Sequence, residues 1–124
     1  MTKFLAIVFI SILFVSCKKE AGTGGKASIN VNVINGVNNV GGATLKLKYG
    51  AETFPGANAT YDETKTCDWT GDESFTNLQR GHYYIYATST DTLGNVLEGG
   101  AHVYLNNKPG ERHTVIDFSE ADPF

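Results

Sequence analysis

From Ala27 onward the chain alternates apolar and polar residues, and no stretch there repeats at helical spacing. Ile29, Val31 and Val33 interleave with Ser28, Asn30 and Asn32; Leu45, Leu47 and Tyr49 interleave with Thr44, Lys46 and Lys48. Tyr83, Ile85 and Ala87 alternate with His82, Tyr84 and Tyr86, and Ala101, Val103 and Leu105 with His102 and Tyr104. Successive side chains of a strand point to opposite faces, so this period gives strands with one apolar face. Asn35-Gly36, Gly41-Gly42, Gly71-Asp72, Gly94-Asn95 and Asn107-Lys108-Pro109-Gly110 supply the turns between them. Gly50 to Asp72 is less regular. A structureless loop of that length is unusual in a compact domain, so short strands are expected near Thr53-Phe54 and from Thr64 to Trp69. In the second of these, Lys65, Cys67 and Trp69 share a face. Gly99-Gly100 reads as a bulge, and Arg112 to Phe118 as the last strand. About seven short strands at this spacing predict an all-β fold, a single antiparallel Greek-key β-sandwich over residues 27–119 with a tail at 120–124.

The N-terminus is of another kind. Met1-Thr2-Lys3 precedes an apolar run from Phe4 to Val15 broken only by Ser11. The run is shorter than the roughly 20 residues a membrane-spanning helix needs and fits the helical core of a secretory signal peptide. It ends in Leu13-Phe14-Val15-Ser16-Cys17, which resembles the lipobox of bacterial lipoproteins, with Ser16 as the small residue and Cys17 as the modified one. Phe14 stands where that pattern often has Leu. The resemblance implies cleavage after residue 16 and acylation of Cys17, hence a membrane partner held through lipid. Each buried methylene contributes about 0.8 kcal/mol, so two or more acyl chains anchor stably. Lys18 after the cysteine resembles outer-membrane sorting, and the periplasmic and surface-facing orientations both remain open. Residues 17–26, containing Lys18 to Lys26 (KKEAGTGGK), read as lipidated N-terminus and flexible linker.

Losing residues 1–16 takes the formal charge from −3 to −4. Basic residues cluster only at Lys18-Lys19, which argues against nucleic acid as a partner. With Cys17 lipidated, Cys67 has no partner within the chain; a half-buried small hydrophobe is the simplest reading, beside an intermolecular disulfide or a reactive thiol. Gly25-Lys26 lacks the remainder of a phosphate-binding loop, and no G-x-S-x-G is present. Asp62-Glu63 and Asp72-Glu73 are adjacent pairs that a strand points to opposite faces, so neither is a ready acid–base couple. No catalytic residue, cofactor or metal ligand set is expected. His82 and His102 fall outward on successive strands, where solvated imidazoles are the simpler reading and a two-histidine surface pair the alternative.

Val40-Gly41-Gly42-Ala43-Thr44-Leu45-Lys46-Leu47 is similar to the "G-A-T-V-x-L" start of carboxypeptidase-regulatory-like domains. The stretch from Gly71 through Phe75, Asn77-Leu78 and Gly81 to Tyr83 resembles their "G-x-F-x-F-x-N-L-P-x-G-x-Y", with Gln79 in place of Pro. The resemblance covers residues 29–118. It implies a transthyretin-like (prealbumin-like) sandwich serving as an accessory, scaffolding or binding module. Asp91-Thr92-Leu93 resembles a short O-glycosylation acceptor pattern at Thr92.

Together these readings describe a lipid-anchored, non-enzymatic outer-membrane lipoprotein acting as an accessory or interaction module. The alternative is a carbohydrate-binding surface lipoprotein using exposed aromatic residues. Trp69, Tyr84, Tyr86 and Tyr104 are the candidate ligand-facing residues, for a protein or glycan partner; the simpler reading is that the tyrosines cover a sheet face or pack under the 50–72 segment and that Trp69 belongs to the core. Replacing Cys17 with Ala should move the protein out of the membrane fraction of expressing cells. Retention of the variant at the wild-type level would contradict the lipobox reading.

Overall fold

A computed structural model describes residues 21–106, 110–120 and 124. The expected signal peptide and Cys17 lie outside the described residues. Among the described residues there are eight strands and no helix, in two facing sheets: β1 (Thr23–Asn35), β2 (Asn38–Asn39), β3 (Thr44–Tyr49), β4 (Glu63–Thr66), β5 (Asp72–Leu78), β6 (Gly81–Thr90), β7 (Val96–Leu105) and β8 (Gly110–Asp117). In one sheet β1 lies between β5 and β8, with β2 completing a hairpin at its C-terminal end; the other sheet has the order β4-β3-β6-β7. All pairs are antiparallel except β1–β8, which run parallel from Ala27↔Gly110 to Ile34↔Asp117. The expectation of a wholly antiparallel sandwich is corrected at that pair. Alternation shows which face a strand buries and is silent on strand direction.

The alternating residues meet between the sheets as expected. Ile29, Val31 and Val33 from β1, Phe75 and Leu78 from β5 and Ile116 from β8 face Leu45, Leu47, Tyr83, Ile85, Ala87, Val103 and Leu105 of the other sheet. Burial of such side chains contributes about 1.5–3 kcal/mol each. Among the described residues no polar or charged residue is buried. The Tyr83 ring is fully buried and its hydroxyl reaches the sandwich end, accepting the Gly22 N–H at 2.9 Å and donating to the Gln79 carbonyl at 2.6 Å. Asn77 sits at φ 57°, a conformation that asparagine tolerates better than most side chains, just before Leu78 enters the core.

Four expectations are corrected. First, the stretch taken as linker already belongs to the sheet from Thr23, because Thr23 and Ala27 both register with Leu78 across a bulge. Gly25 is there for close approach rather than flexibility: a Cβ on it would overlap the Leu78 carbonyl. Second, Gly99-Gly100 is no bulge. The β6–β7 register runs unbroken through both, and their missing side chains make room for Ile116 beneath one and the Tyr84 ring above the other. Third, no strand forms at Thr53-Phe54; the 50–62 segment folds over the outer face of the β3–β6 sheet instead. Fourth, β4 stops at Thr66, so Cys67 is buried while Trp69 turns out to solvent.

Gly25→Ala tests the first correction. It should lower stability by about 1–3 kcal/mol through the backbone clash, read as a fall in the unfolding midpoint, whereas Lys26→Ala should change it little. Equal, negligible effects would return these residues to the linker.

Candidate functional site

The four ligand-facing candidates are not brought together. Tyr84 and Tyr86 do point away from the core, but each is only 3% exposed because the 50–62 segment covers them. Phe54 lies 5.9 Å from the Tyr84 ring and 5.1 Å from that of Tyr86, and Tyr61 stacks on Tyr86 at 6.0 Å. Phe124 stacks in turn on Phe54 at 4.1 Å. The Tyr86 hydroxyl donates to Glu98 at 2.5 Å, and burial together with that carboxylate raises its pKa. The expected tyrosine face is therefore a second, smaller apolar layer. Its apolar cover, Phe54 and Tyr61, comes from an irregular segment whose periodicity gave no warning of it. Tyr104 stays half exposed beside His82, and Trp69 stands apart, 88% exposed.

What the sheets do gather is a set of loop tips at one end. The registers place the β1–β2 turn, the β2–β3 connection, the β4–β5 loop and the β6–β7 loop together, since Asn32 pairs with Asp72, and Thr44 with both Thr66 and Thr88. The opposite end carries the start of β1 and the β5–β6 turn, joined where Gln79 N–H donates to the Gly22 carbonyl. A 13-residue strand at about 3.3 Å per residue separates the two ends by roughly 40 Å. Three apolar tips project from the loop end: Val37 at 98% exposure, Trp69 at 88% and Leu93 at 85%.

Each tip is held by one aspartate. Asp68 accepts the Thr70 hydroxyl at 2.6 Å and the backbone N–H groups of Thr70 and Asp72 at 2.9 and 3.0 Å, closing the loop around Trp69. Asp91 accepts the N–H groups of Leu93 and Asn95 at 2.9 and 2.8 Å, fixing the Leu93 turn. Asp117 accepts the Gly36 N–H at 3.0 Å, tying the Val37 hairpin to the end of β8. These bonds favour the ionised carboxylate and hold all three acids below the usual aspartate range: Thr70 is the chief cause at Asp68, Asn95 at Asp91 and Gly36 at Asp117. The tips are thus exposed and braced at once. In the sequence Gly94-Asn95 marks a turn and Asp91-Thr92-Leu93 resembles a glycosylation acceptor. The Asx hydrogen bonding that distinguishes a braced loop from a loose one follows from aspartate and asparagine at fixed offsets, a signal present in the sequence.

Beside these tips the outer face of the β3–β6–β7 sheet forms an open depression of 610 Å³ lined by Gly42, Thr44, Thr88, Thr90, Val96 and Glu98. At the other end, His82 Nδ1 and His102 Nε2 lie 2.9 Å apart and His82 Nε2 lies 3.0 Å from Glu52. Among the described residues no group of three or more His, Cys, Asp or Glu side chains is arranged to hold a metal ion. Cys67 is a free, buried thiol whose pKa burial pushes up to about 11, so it is neither a nucleophile nor a ready disulfide partner near neutral pH.

No family model matches the chain, and no curated protein matches it. A solved structure does: the crystal structure of BcpA*(D312A), the major pilin subunit of Bacillus cereus. The match has a TM-score of 0.52 at 22% identity and covers 77% of this chain but 30% of the pilin chain. The likeness is one of fold, a β-sandwich of the kind that pilin carries.

Two outcomes are expected from this geometry. Trp69→Ala should leave the unfolding free energy within about 0.5 kcal/mol of wild type, as for a surface substitution; a larger loss would place the indole in a core. Cys67 should resist alkylation at pH 8 in the native state and react fully in denaturant. Rapid native alkylation would contradict its burial.

Proposed function

We propose that the protein is a lipid-anchored, non-enzymatic interaction module of the outer membrane. Its prealbumin-like Greek-key sandwich holds a set of braced loop tips away from the bilayer. The observation that carries this reading is the placement of the two ends. The start of β1, six residues after Cys17, leaves one end of the sandwich, while Val37, Trp69 and Leu93 project from the other. A tether at Cys17 then positions the tips outward, where apolar side chains on fixed loops suit contact with a partner surface. The lipobox-like N-terminal sequence supports the anchor, and the pilin likeness supports a sandwich built for display rather than chemistry.

The glycan-binding alternative survives in a narrower form. Tyr84 and Tyr86 are covered and leave it. Trp69, an exposed indole whose backbone lies on Gly41 at the rim of the polar depression, keeps it.

A photo-crosslinking amino acid placed at 37, 69 or 93 in cells should give adducts that a probe at 80, on the tether end, does not. Cys17→Ala should abolish them. Equal adducts from both ends would remove the end-on reading. Quenching or shift of Trp69 emission by polysaccharides of the envelope would instead favour the glycan reading.

A further inference from the structure

We infer that the tether end of the sandwich is a docking surface for anionic phospholipid headgroups, an inference that rests on the lipid-anchored reading above and adds the charge the bilayer must carry. Charge is divided along the long axis of the domain. The segments gathered at the loop end, 35–43, 67–72, 88–98 and 117–120, contain Asp68, Asp72, Asp91, Glu98, Asp117 and Glu120 and no Lys or Arg. At the other end Lys26 of β1, Arg80 of the β5–β6 turn and Arg112 of β8 are all exposed. Ala27 registers with both Leu78 and Gly110, so each of these three cations lies within two residues of one shared rung. The carboxylates at this end are engaged: Glu52 lies 3.0 Å from His82, and Glu111 accepts the Asn30 amide at 3.1 Å. In sequence, Lys18 and Lys19 directly follow Cys17.

The same end carries a place for a headgroup. An open groove of 400 Å³ runs between the edges of β7 and β8, lined by His102, Tyr104, Glu111, Arg112 and His113. Arg112 reaches across it to the Tyr104 carbonyl at 3.3 Å, and that one bond leaves the rest of its five-donor fork for phosphate oxygens. Tyr104, half exposed beside it, pairs an apolar ring with a polar hydroxyl, the kind of side chain that settles at a membrane–water boundary. Proximity selects lipid over an acidic protein as the occupant. Cys17 stands six residues before Thr23, and six residues span about 20 Å at most, so a bilayer holding the acyl chains is always within reach of this end. Each Lys or Arg close to an anionic surface strengthens attachment about fivefold. Screening confines that attraction to about 8 Å at physiological salt, whereas the two ends stand roughly 40 Å apart. An upright molecule therefore presents only its basic end to the surface. A molecule lying flat brings the loop-end carboxylates into range and is repelled. Acylation fixes attachment, and the division of charge fixes direction.

Amine-reactive footprinting tests the surface. The protein, purified in detergent from expressing cells, is reconstituted into vesicles of phosphatidylcholine alone or of phosphatidylcholine mixed with phosphatidylglycerol. Lys26 reports on the tether end, and Lys46, on the outer face of β3, is the reference. Modification of Lys26 should slow about fivefold in the anionic vesicles, while Lys46 reacts equally in both. Sodium chloride at about 1 M, where screening acts within about 3 Å, should restore the Lys26 rate. Arg80→Gln and Arg112→Gln should each weaken the protection with the unfolding midpoint unchanged. Protein that floats with the neutral vesicles yet shows one Lys26 rate in both lipids would overturn the headgroup assignment and leave the anchor standing. Equal protection of Lys26 and Lys46 would overturn it too, as the mark of a molecule lying flat. Failure to float with neutral vesicles would remove the anchor reading, and this inference with it.

Discussion

Strand β1 is the constraint on which the rest of the structure depends. It is hydrogen-bonded on both sides, antiparallel to β5 and parallel to β8, so one strand unites the beginning, middle and end of the domain in a single sheet. Its inward residues Ile29, Val31 and Val33 are buried to 2% exposure or less and form the floor on which the β3–β6 sheet packs. At its first residues the backbone lies so close to Leu78 that only glycine fits at 25, and Gly22 is bonded to both Gln79 and Tyr83. The chain therefore enters the domain as a fixed strand. A pull applied at the N-terminus is borne by main-chain pairing along the full length of the sandwich.

That geometry has a consequence for the far end. A rigid central strand fixes the distance between the chain's entry and the loops, and three aspartates fix the loops themselves. Each uses the same physics, a carboxylate accepting backbone N–H groups that a turn leaves without strand partners. An exposed Val, Trp or Leu on a loose loop would lose entropy on meeting a partner; on a braced loop much of that cost is already met during folding. The bracing depends on ionised acids, whose pKa values all lie below the ordinary aspartate value. Its contribution is accordingly present above pH 3.8 and lost as pH falls through the lowered values.

The strands were legible in the sequence wherever one face is buried and the other wet, as in Ile29–Val33, Leu45–Tyr49 and Tyr83–Ala87, because period-two alternation is the direct imprint of that environment. The same logic left Tyr84 and Tyr86 open between a ligand-facing surface and packing under the 50–72 segment, and the structure shows the second. Alternation locates the face opposite the core but cannot tell water from a covering segment, and Phe54 and Tyr61 cover that face from a stretch with no periodicity. Glycines were misread in both directions. Those at 24 and 25 looked like flexible linker, and those at 99 and 100 looked like a bulge, whereas at 25, 99 and 100 the missing side chain makes room for a neighbour. Close approach is a three-dimensional property with no local signature. Strand direction was equally hidden, since β8 buries Ile116 whether it runs parallel or antiparallel to β1. The histidine pair was half legible: its outward placement on neighbouring strands followed from the alternation, and Glu52, two residues beyond the Gly50–His82 backbone bond, did not.

The most direct test of the proposed end-on display is the depth of Trp69, the one tryptophan in the chain, in vesicles to which the protein is tethered through the acyl chains proposed for Cys17. Brominated acyl chains should leave its emission unchanged while aqueous acrylamide quenches it. Quenching by the brominated chains, with protection from acrylamide, would place the loop end in the bilayer and contradict the account.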